Sequence, residues 1–166
     1  MIRSITLAAA AGALALTCLA ARAAEHGSRP IVSCTSIIGR SSGHEAGYRV
    51  VLGVVSVPPA YLWQVGRVHT GPWTTWRKAG LTVRGNAPPV DVSVPKAWRT
   101  RAAITWGDSA IVSALRIAPC APFLPPKVWN AYAGGFYLRS RSACVPLIFQ
   151  VGQRRKTVRF GLGRRC

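Results

Sequence analysis

Apolar residues recur with a period of two in short segments that end at glycine or proline. The clearest alternation covers residues 145–151 and 158–162, with the basic stretch GQRRK between them. Every second position of these stretches is apolar: Val145, Leu147, Phe149, Val151, Val158, Phe160 and Leu162. Because alternate side chains of a strand point to opposite faces, the pattern predicts a β-hairpin with one buried face.

Segments of the same kind precede this hairpin, with turn residues between them, and no stretch keeps a helical period. Among them, YRVVLGVVSV is apolar at nearly every position, which predicts a central strand that is covered on both faces. VDVSV places Val90, Val92 and Val94 on one face. The spacing predicts an all-β fold: a single Ig-like β-sandwich or a small barrel of about eight or nine strands.

The first 23 residues have the pattern of a signal peptide. Arg3 precedes an apolar run from Ile5 to Ala21, and small residues at Ala21 and Ala23 suit cleavage before Ala24. The alternative is an uncleaved N-terminal anchor, although the run is short for a spanning helix. We therefore expect a signal peptide over residues 1–23 and one domain over residues 24–166.

Four cysteines remain after this cleavage: Cys34, Cys120, Cys144 and Cys166. An even number in an exported domain predicts two disulfides, and three pairings are possible. The hairpin favours Cys144 with Cys166, because one enters its first strand and the other follows its second. Cys34 would then pair with Cys120.

Three motifs near the end of the sequence are similar to the ends of small exported β proteins of actinobacterial type: WNAYAGGFYL, CVPLIFQVG and VRFGLGRRC. The resemblance implies export and a β fold, and it implies no activity, cofactor or site residue. SACVPL also resembles the catalytic-cysteine segment of L,D-transpeptidases. That likeness implies a reactive Cys144, but Ala143 and Pro146 stand where that segment has a glycine and an arginine.

The chain is strongly basic. Its 22 Lys and Arg residues face only four Asp and Glu residues, for a net charge of +18. Two of the basic residues precede the cleavage point and all four acids follow it, which leaves +16 on the mature chain. Such an excess predicts salt-sensitive attraction to polyanions and to anionic membranes.

Basic and aromatic residues alternate in three clusters. WTTWRKAG contains Trp73, Trp76, Arg77 and Lys78; KAWRTR contains Trp98, Arg99 and Arg101; YLRSR contains Tyr137, Arg139 and Arg141. Such clusters can bind phosphates or carboxylates through charge and sugars or bases through flat rings. The alternative is that each Trp packs in the core while its neighbouring Arg faces solvent. As anion-binding residues we name those at the two ends of the hairpin, where burial is excluded: Arg154, Arg155, Lys156, Arg164 and Arg165.

Other chemistry has weaker support in the sequence. Gly-Asp-Ser within WGDSA could present Ser109 as a nucleophile with His69 as base, but the favoured interpretation is a tight turn at Asp108 and Ser109. His26, His44 and His69 lack metal-ligand spacing, and no cofactor is expected. The glycines of AGG and GLG lack a phosphate-loop pattern and instead predict bulges or close backbone approaches.

These observations favour an exported, non-enzymatic β protein that acts at or outside the cell envelope. Its expected partner is an anionic cell-wall polymer or a lipid head-group layer; nucleic acid is not expected as a physiological partner, and the sequence names no protein partner. Two alternatives stay open: an envelope-acting serine or cysteine hydrolase or transferase, and a secreted cationic toxin.

Overall fold

The structure, a computed structural model, describes residues 29–120 and 128–166. The expected signal peptide, residues 1–23, lies outside the described residues. Among the residues described there are two short 3-10 turns, Cys34–Ser36 and Lys96–Trp98. The strands are β1 (Ile31–Val32), β2 (Gly39–Ser41), β3 (Arg49–Val51), β4 (Val55–Val57), β5 (Tyr61–Leu62), β6 (Gly66–Thr70), β7 (Trp73–Lys78), β8 (Leu81–Arg84), β9 (Val90–Ser93), β10 (Ala102–Trp106), β11 (Ala114–Ile117), β12 (Trp129–Tyr132), β13 (Gly134–Leu138), β14 (Ala143–Val151) and β15 (Arg154–Leu162).

The strands form three sheets, which confirms the predicted all-β class. Their strand orders are β1-β11-β9-β14-β15-β5, β10-β13-β7-β6 and β2-β12-β8-β4-β3. Within the described ranges these sheets do not close into a barrel. Two continuous segments pass from one sheet to another: β7 continues into β8 through Ala79 and Gly80, and β12 continues into β13 through Ala133.

The number of strands exceeds the eight or nine predicted, because several apolar segments contain a break that their composition hides. YRVVLGVVSV is the clearest case: it is a hairpin, β3 and β4, and the prediction of one central strand is wrong. Leu52 and Gly53 both have positive φ, 54° and 77°, which is the backbone twist that favours a tight hairpin turn. The resulting β3 lies at the edge of the five-stranded sheet.

The hairpin of β14 and β15 is present with the predicted alternation. Val145 lies opposite Phe160 and Leu147 opposite Val158, and all four side chains are buried. The strands reach further than expected: β15 begins at Arg154, paired with Val151, so the turn is Gly152 and Gln153. The basic residues 154–156 therefore belong to a strand rather than to the loop at the tip.

One apolar cluster unites the three sheets. Phe160 of the six-stranded sheet contacts Phe136 of the four-stranded sheet, with ring centroids 5.2 Å apart. Phe136 in turn contacts Trp106 edge to face at 5.9 Å, and the Trp106 indole N–H donates a 2.7 Å hydrogen bond to the Ala79 carbonyl. Tyr132 extends the same cluster into the five-stranded sheet. The buried indole thus has its polar atom satisfied at the corner where β7 leaves the four-stranded sheet.

Both predicted disulfides are formed, Cys34–Cys120 and Cys144–Cys166, with Cα atoms 5.6 Å and 5.2 Å apart. The second one closes the open end of the β14–β15 hairpin. Gly163 has φ of +68°, and the chain reverses there to bring Cys166 back beside Cys144. Disulfides persist in oxidising compartments, so the two bonds indicate an extracytoplasmic location. In the part of the chain that is described, no helix is long and apolar enough to cross a membrane.

Candidate anion-binding site

A cleft of about 530 Å³ lies over the outer face of the β14–β15 hairpin, at the end closed by the Cys144–Cys166 disulfide. We call it the arginine cleft. Its floor is Cys144 and Pro146, and Pro146 pairs with Arg159 across the hairpin. Its basic and aromatic walls are Trp98, Arg101, Arg139, Arg159 and Arg164.

Two predicted clusters, KAWRTR and YLRSR, meet in this cleft. The 3-10 turn Lys96–Trp98 ends beside Arg101, whose backbone N–H donates to the Trp98 carbonyl at 2.9 Å. β13 ends at Leu138, and the next residue, Arg139, donates its backbone N–H to the Arg101 carbonyl at 3.3 Å. The backbone itself therefore holds the two arginines side by side.

Aromatic rings orient the same two guanidinium groups. Arg101 lies over the Trp98 ring at 4.0 Å from its centroid, and Arg139 lies over the Trp73 ring at 5.8 Å. Arg101 also donates from Nη2 to the Ala97 carbonyl at 3.1 Å. A cation over a ring face is attracted by the ring quadrupole and leaves donors free at its edge. Both side chains are exposed, so those edges can reach a ligand.

No carboxylate lines the cleft within residues 29–120 and 128–166. Two of the three acidic side chains of these ranges, Asp91 and Asp108, are engaged elsewhere. Asp91 accepts hydrogen bonds from Arg116 at 2.7 Å and 2.8 Å and forms an ion pair with Arg29 at 3.0 Å. These arginines hold the pKa of Asp91 below its usual value although burial opposes them. Asp108 accepts a hydrogen bond from Ser36. The positive charge of the cleft therefore has no acidic partner from these side chains.

Arg77 supports the cleft from the interior. It is 6% exposed, and it donates from Nη1 to the Trp63 carbonyl at 2.7 Å and from Nη2 to the Arg141 carbonyl at 2.6 Å. Desolvation lowers its pKa, and the nearby Tyr61 acts in the opposite direction. Arg141 lies between Ser140 and Ser142, which line the cleft. Arg77 thus fixes the loop that forms one wall.

The position of Arg77 corrects the interpretation of WTTWRKAG. We predicted either a surface cluster or a buried Trp with a solvated Arg, and the structure has neither. Arg77 faces the interior on the same side of β7 as the half-buried Trp73, while Trp76 is half-buried on the other face. The two carbonyl acceptors explain why this arginine tolerates burial, since a buried charge needs hydrogen-bond partners.

The five residues named from the sequence are all exposed, but they do not form one site. Arg164 lies in the arginine cleft. Arg154 and Lys156 line a separate pocket at the turn end of the hairpin, on its inner face. Arg155 and Arg165 line neither. The two ends are separated by the length of β15, nine residues or about 26 Å at 3.3 Å per residue.

Two arginines of these sites, Arg159 and Arg49, were neither among the five named residues nor in the three basic and aromatic clusters. Arg159 follows from the hairpin alternation, which already places it on the outer face. Arg49 stands near the start of the apolar run YRVVLGVVSV, which predicts a covered strand and not an anion site. The alternation of β3 would have found it, because Arg49 and Val51 share a face and Val51 is buried.

The two candidate nucleophiles, Cys144 and Ser109, have structural roles. Cys144 is bonded to Cys166, so in this form its sulfur is not a thiolate nucleophile. Ser109 lies after the turn at Gly107 and Asp108; its Oγ accepts a 3.1 Å hydrogen bond from the Trp106 backbone N–H and lies 3.4 Å from Thr105 Oγ1. Within the described residues no three His, Cys, Asp or Glu side chains gather into a metal site.

Known protein-family models, curated proteins and solved structures were compared with the chain, and none of them matches it.

Proposed function

We propose that this protein is an exported, non-enzymatic β protein that binds an anionic polymer or surface at or outside the cell envelope, and that the arginine cleft is its binding site. One observation carries the proposal: four exposed arginines and a tryptophan line a single cleft that no described carboxylate neutralises. The two disulfides are consistent with a protein that works in an oxidising compartment.

The geometry of the cleft suits an extended anion better than a compact one. The cleft is open, its four arginines come from three separate segments of chain, and two of them lie over aromatic rings. Guanidinium groups bind phosphate and carboxylate oxygens in pairs of parallel hydrogen bonds. A chain of anionic groups that crosses the cleft can therefore contact several arginines in succession. Such a partner is an anionic cell-wall polymer or a layer of lipid head groups.

Salt dependence of polyanion binding tests the proposal. With linear polyphosphate as the probe, four arginine contacts predict that the logarithm of the binding constant falls against the logarithm of salt with a slope of about −3, since each contact contributes roughly −0.7 for a single-stranded polyanion. Arg101→Gln with Arg159→Gln removes two contacts and should roughly halve this slope. The matched control is Arg40→Gln with Arg67→Gln, two exposed arginines outside the cleft that lower the net charge equally.

An equal loss of slope in the control pair would show that net charge alone attracts the polymer, and the cleft would be rejected. Vesicles of anionic lipid provide a second arm with the same variants, and they separate a membrane surface from a polymer. Release of a dye trapped in those vesicles would favour the toxin alternative over quiet binding.

A further inference from the structure

The inner face of the hairpin bears a second basic site, and at its centre is Arg49. This residue lies on the edge strand β3, and its side chain points to the same face as the buried Val51. Its guanidinium lies over the ring of the buried Phe160, 5.4 Å from the centroid. An arginine is thus placed against the margin of the core, where an apolar side chain would be the ordinary choice.

Two of the three guanidinium nitrogens of Arg49 lack a hydrogen-bond partner. Its Nε and one Nη are buried, and neither has an acceptor. Burial lowers the pKa of the guanidinium by disfavouring its charged form, and no carboxylate counteracts this. Buried polar groups almost always have a partner, and an unpaired buried donor is costly. An acceptor for Arg49 is therefore missing from the described protein atoms.

Arg49 lines a pocket of about 420 Å³ between the β3–β4 turn and the first residues of β15. Arg154 and Lys156 line the same pocket, because both share the inner face of β15 with the buried Val158. Its apolar walls are Val50, Val51, Leu52 and Val158. No acidic residue of the described ranges lines it. The pocket thus combines three cations with an apolar wall, within the size range of small-ligand sites, about 300–1,000 Å³.

We propose that this pocket binds a phosphate monoester group. Such a group carries close to two negative charges at neutral pH and three acceptor oxygens. The three cationic side chains that line the pocket, Arg49, Arg154 and Lys156, can donate charge-assisted hydrogen bonds to those oxygens. Arg154 and Lys156 neutralise the second charge, while the valine and leucine side chains leave an apolar surface for the organic part of the ester.

This site is independent of the arginine cleft. Arg159 points to the outer face of β15, whereas Lys156 points to the inner face, and the two ends of the strand are about 26 Å apart. One small ligand cannot contact both sites. Failure of the polymer-binding proposal would consequently leave this one untouched.

The test is a calorimetric titration with phenyl phosphate at about 10 mM salt, where the Debye length is about 30 Å. The protein should be the Arg101→Gln, Arg159→Gln variant, so that the cleft contributes little. We expect saturable binding of one equivalent. Lys156→Gln should weaken it about tenfold, the typical effect of losing one charge-assisted hydrogen bond. Arg155→Gln is the matched control, since this neighbour removes the same charge from the opposite face and should leave the affinity within about twofold.

A second measurement, of amide chemical shifts, uses a variant of exposed residues that should stay folded. Arg49→Gln removes the ring contact with Phe160 and could unfold the edge strand, whereas Arg154 and Lys156 are exposed and can be changed together. Amide chemical shifts of Gly53 and Val158 in the Arg154→Gln, Lys156→Gln variant should no longer respond to phenyl phosphate. Absence of saturation in the parent protein, or equal weakening by Arg155→Gln and Lys156→Gln, would overturn the proposal.

The source of the phosphate monoester is distinguished by two further arms. Vesicles that contain phosphatidic acid present a monoester, and vesicles with phosphatidylglycerol present a diester of lower charge. Pocket-dependent binding to the first and not to the second would assign the site to a lipid head group. Binding of soluble phenyl phosphate alone would assign it to a soluble ester.

Discussion

The Cys144–Cys166 disulfide should matter for binding as well as for stability, and the Cys34–Cys120 disulfide should matter for stability alone. Both disulfides reduce the conformational entropy of the unfolded chain, but only Cys144–Cys166 anchors the residues that follow β15. Arg164 is two residues before Cys166 and lines the arginine cleft, and Cys144 forms part of its floor. Cys34 and Cys120 do not line it.

The magnitudes follow from the lengths of the closed loops. In the chain-entropy treatment, a sequence separation of 22 residues predicts a loss of about 3.4 kcal/mol when Cys144 and Cys166 are both replaced by serine. A separation of 86 predicts about 4.6 kcal/mol for the Cys34 and Cys120 pair. Removal of the Cys144–Cys166 disulfide should therefore lower stability less than removal of Cys34–Cys120, yet weaken polyanion binding more. Without this disulfide the chain after Gly163 is free to fray.

Two measurements on the same pair of variants separate these effects. Urea unfolding followed by far-ultraviolet circular dichroism gives the loss of stability, and polyphosphate affinity at low urea gives the loss of binding. We expect Cys144→Ser, Cys166→Ser to weaken binding and to reduce its salt slope by the contribution of about one arginine, roughly 0.7. Equal affinities of the two variants would refute the argument that this disulfide positions Arg164.

Two further predictions concern buried groups. Arg77→Met should destabilise the protein by about 3 kcal/mol, because it removes two hydrogen bonds from a charged donor to the Trp63 and Arg141 carbonyls. Arg67→Met, at an exposed site, should cost under about 0.5 kcal/mol in the same urea experiment. Burial raises the pKa of Tyr132 to about 12 from 10.0. The unfolded chain then loses this proton first as pH rises, so stability should fall by about 2 to 3 kcal/mol between pH 10 and 12. A Tyr132→Phe variant should lack that part of the decline, and an unchanged pH profile would contradict the assignment.

The local pattern predicted those parts of the fold that depend on neighbours in sequence. The hairpin alternation, the two disulfides and the buried face of Val90, Val92 and Val94 all follow from a period of two and from pairing of strand ends. The break of YRVVLGVVSV into two strands was not predictable from the local pattern, because leucine rarely adopts the positive φ that Leu52 has in the turn. Only Gly53 indicated the turn, and a glycine within a strand suggests a bulge equally well.

The sites were less predictable because they join residues that are distant in the sequence. Arg101, Arg139 and Arg159 meet only once β13 lies beside β10 and the outer face of the hairpin is positioned. Arg77 was the least predictable of all. Its burial depends on the carbonyls of Trp63 and Arg141, which no pattern around residue 77 reveals.

Most of the basic residues are arginine rather than lysine, and this preference has a physical consequence in this fold. Three Asp and Glu side chains lie in the described chain, so most of its basic side chains have no acidic side chain as a partner, and several of them use other acceptors. Arg77 and Arg101 donate to backbone carbonyls, and Arg49, Arg101 and Arg139 lie against aromatic rings. A guanidinium has five donors and a flat face, so it can satisfy such contacts and still present donors to a ligand, which a single ammonium group does less well. Arginines held in place by rings and carbonyls, rather than by acids, keep their full charge available, and this is the property that an anion-binding surface requires.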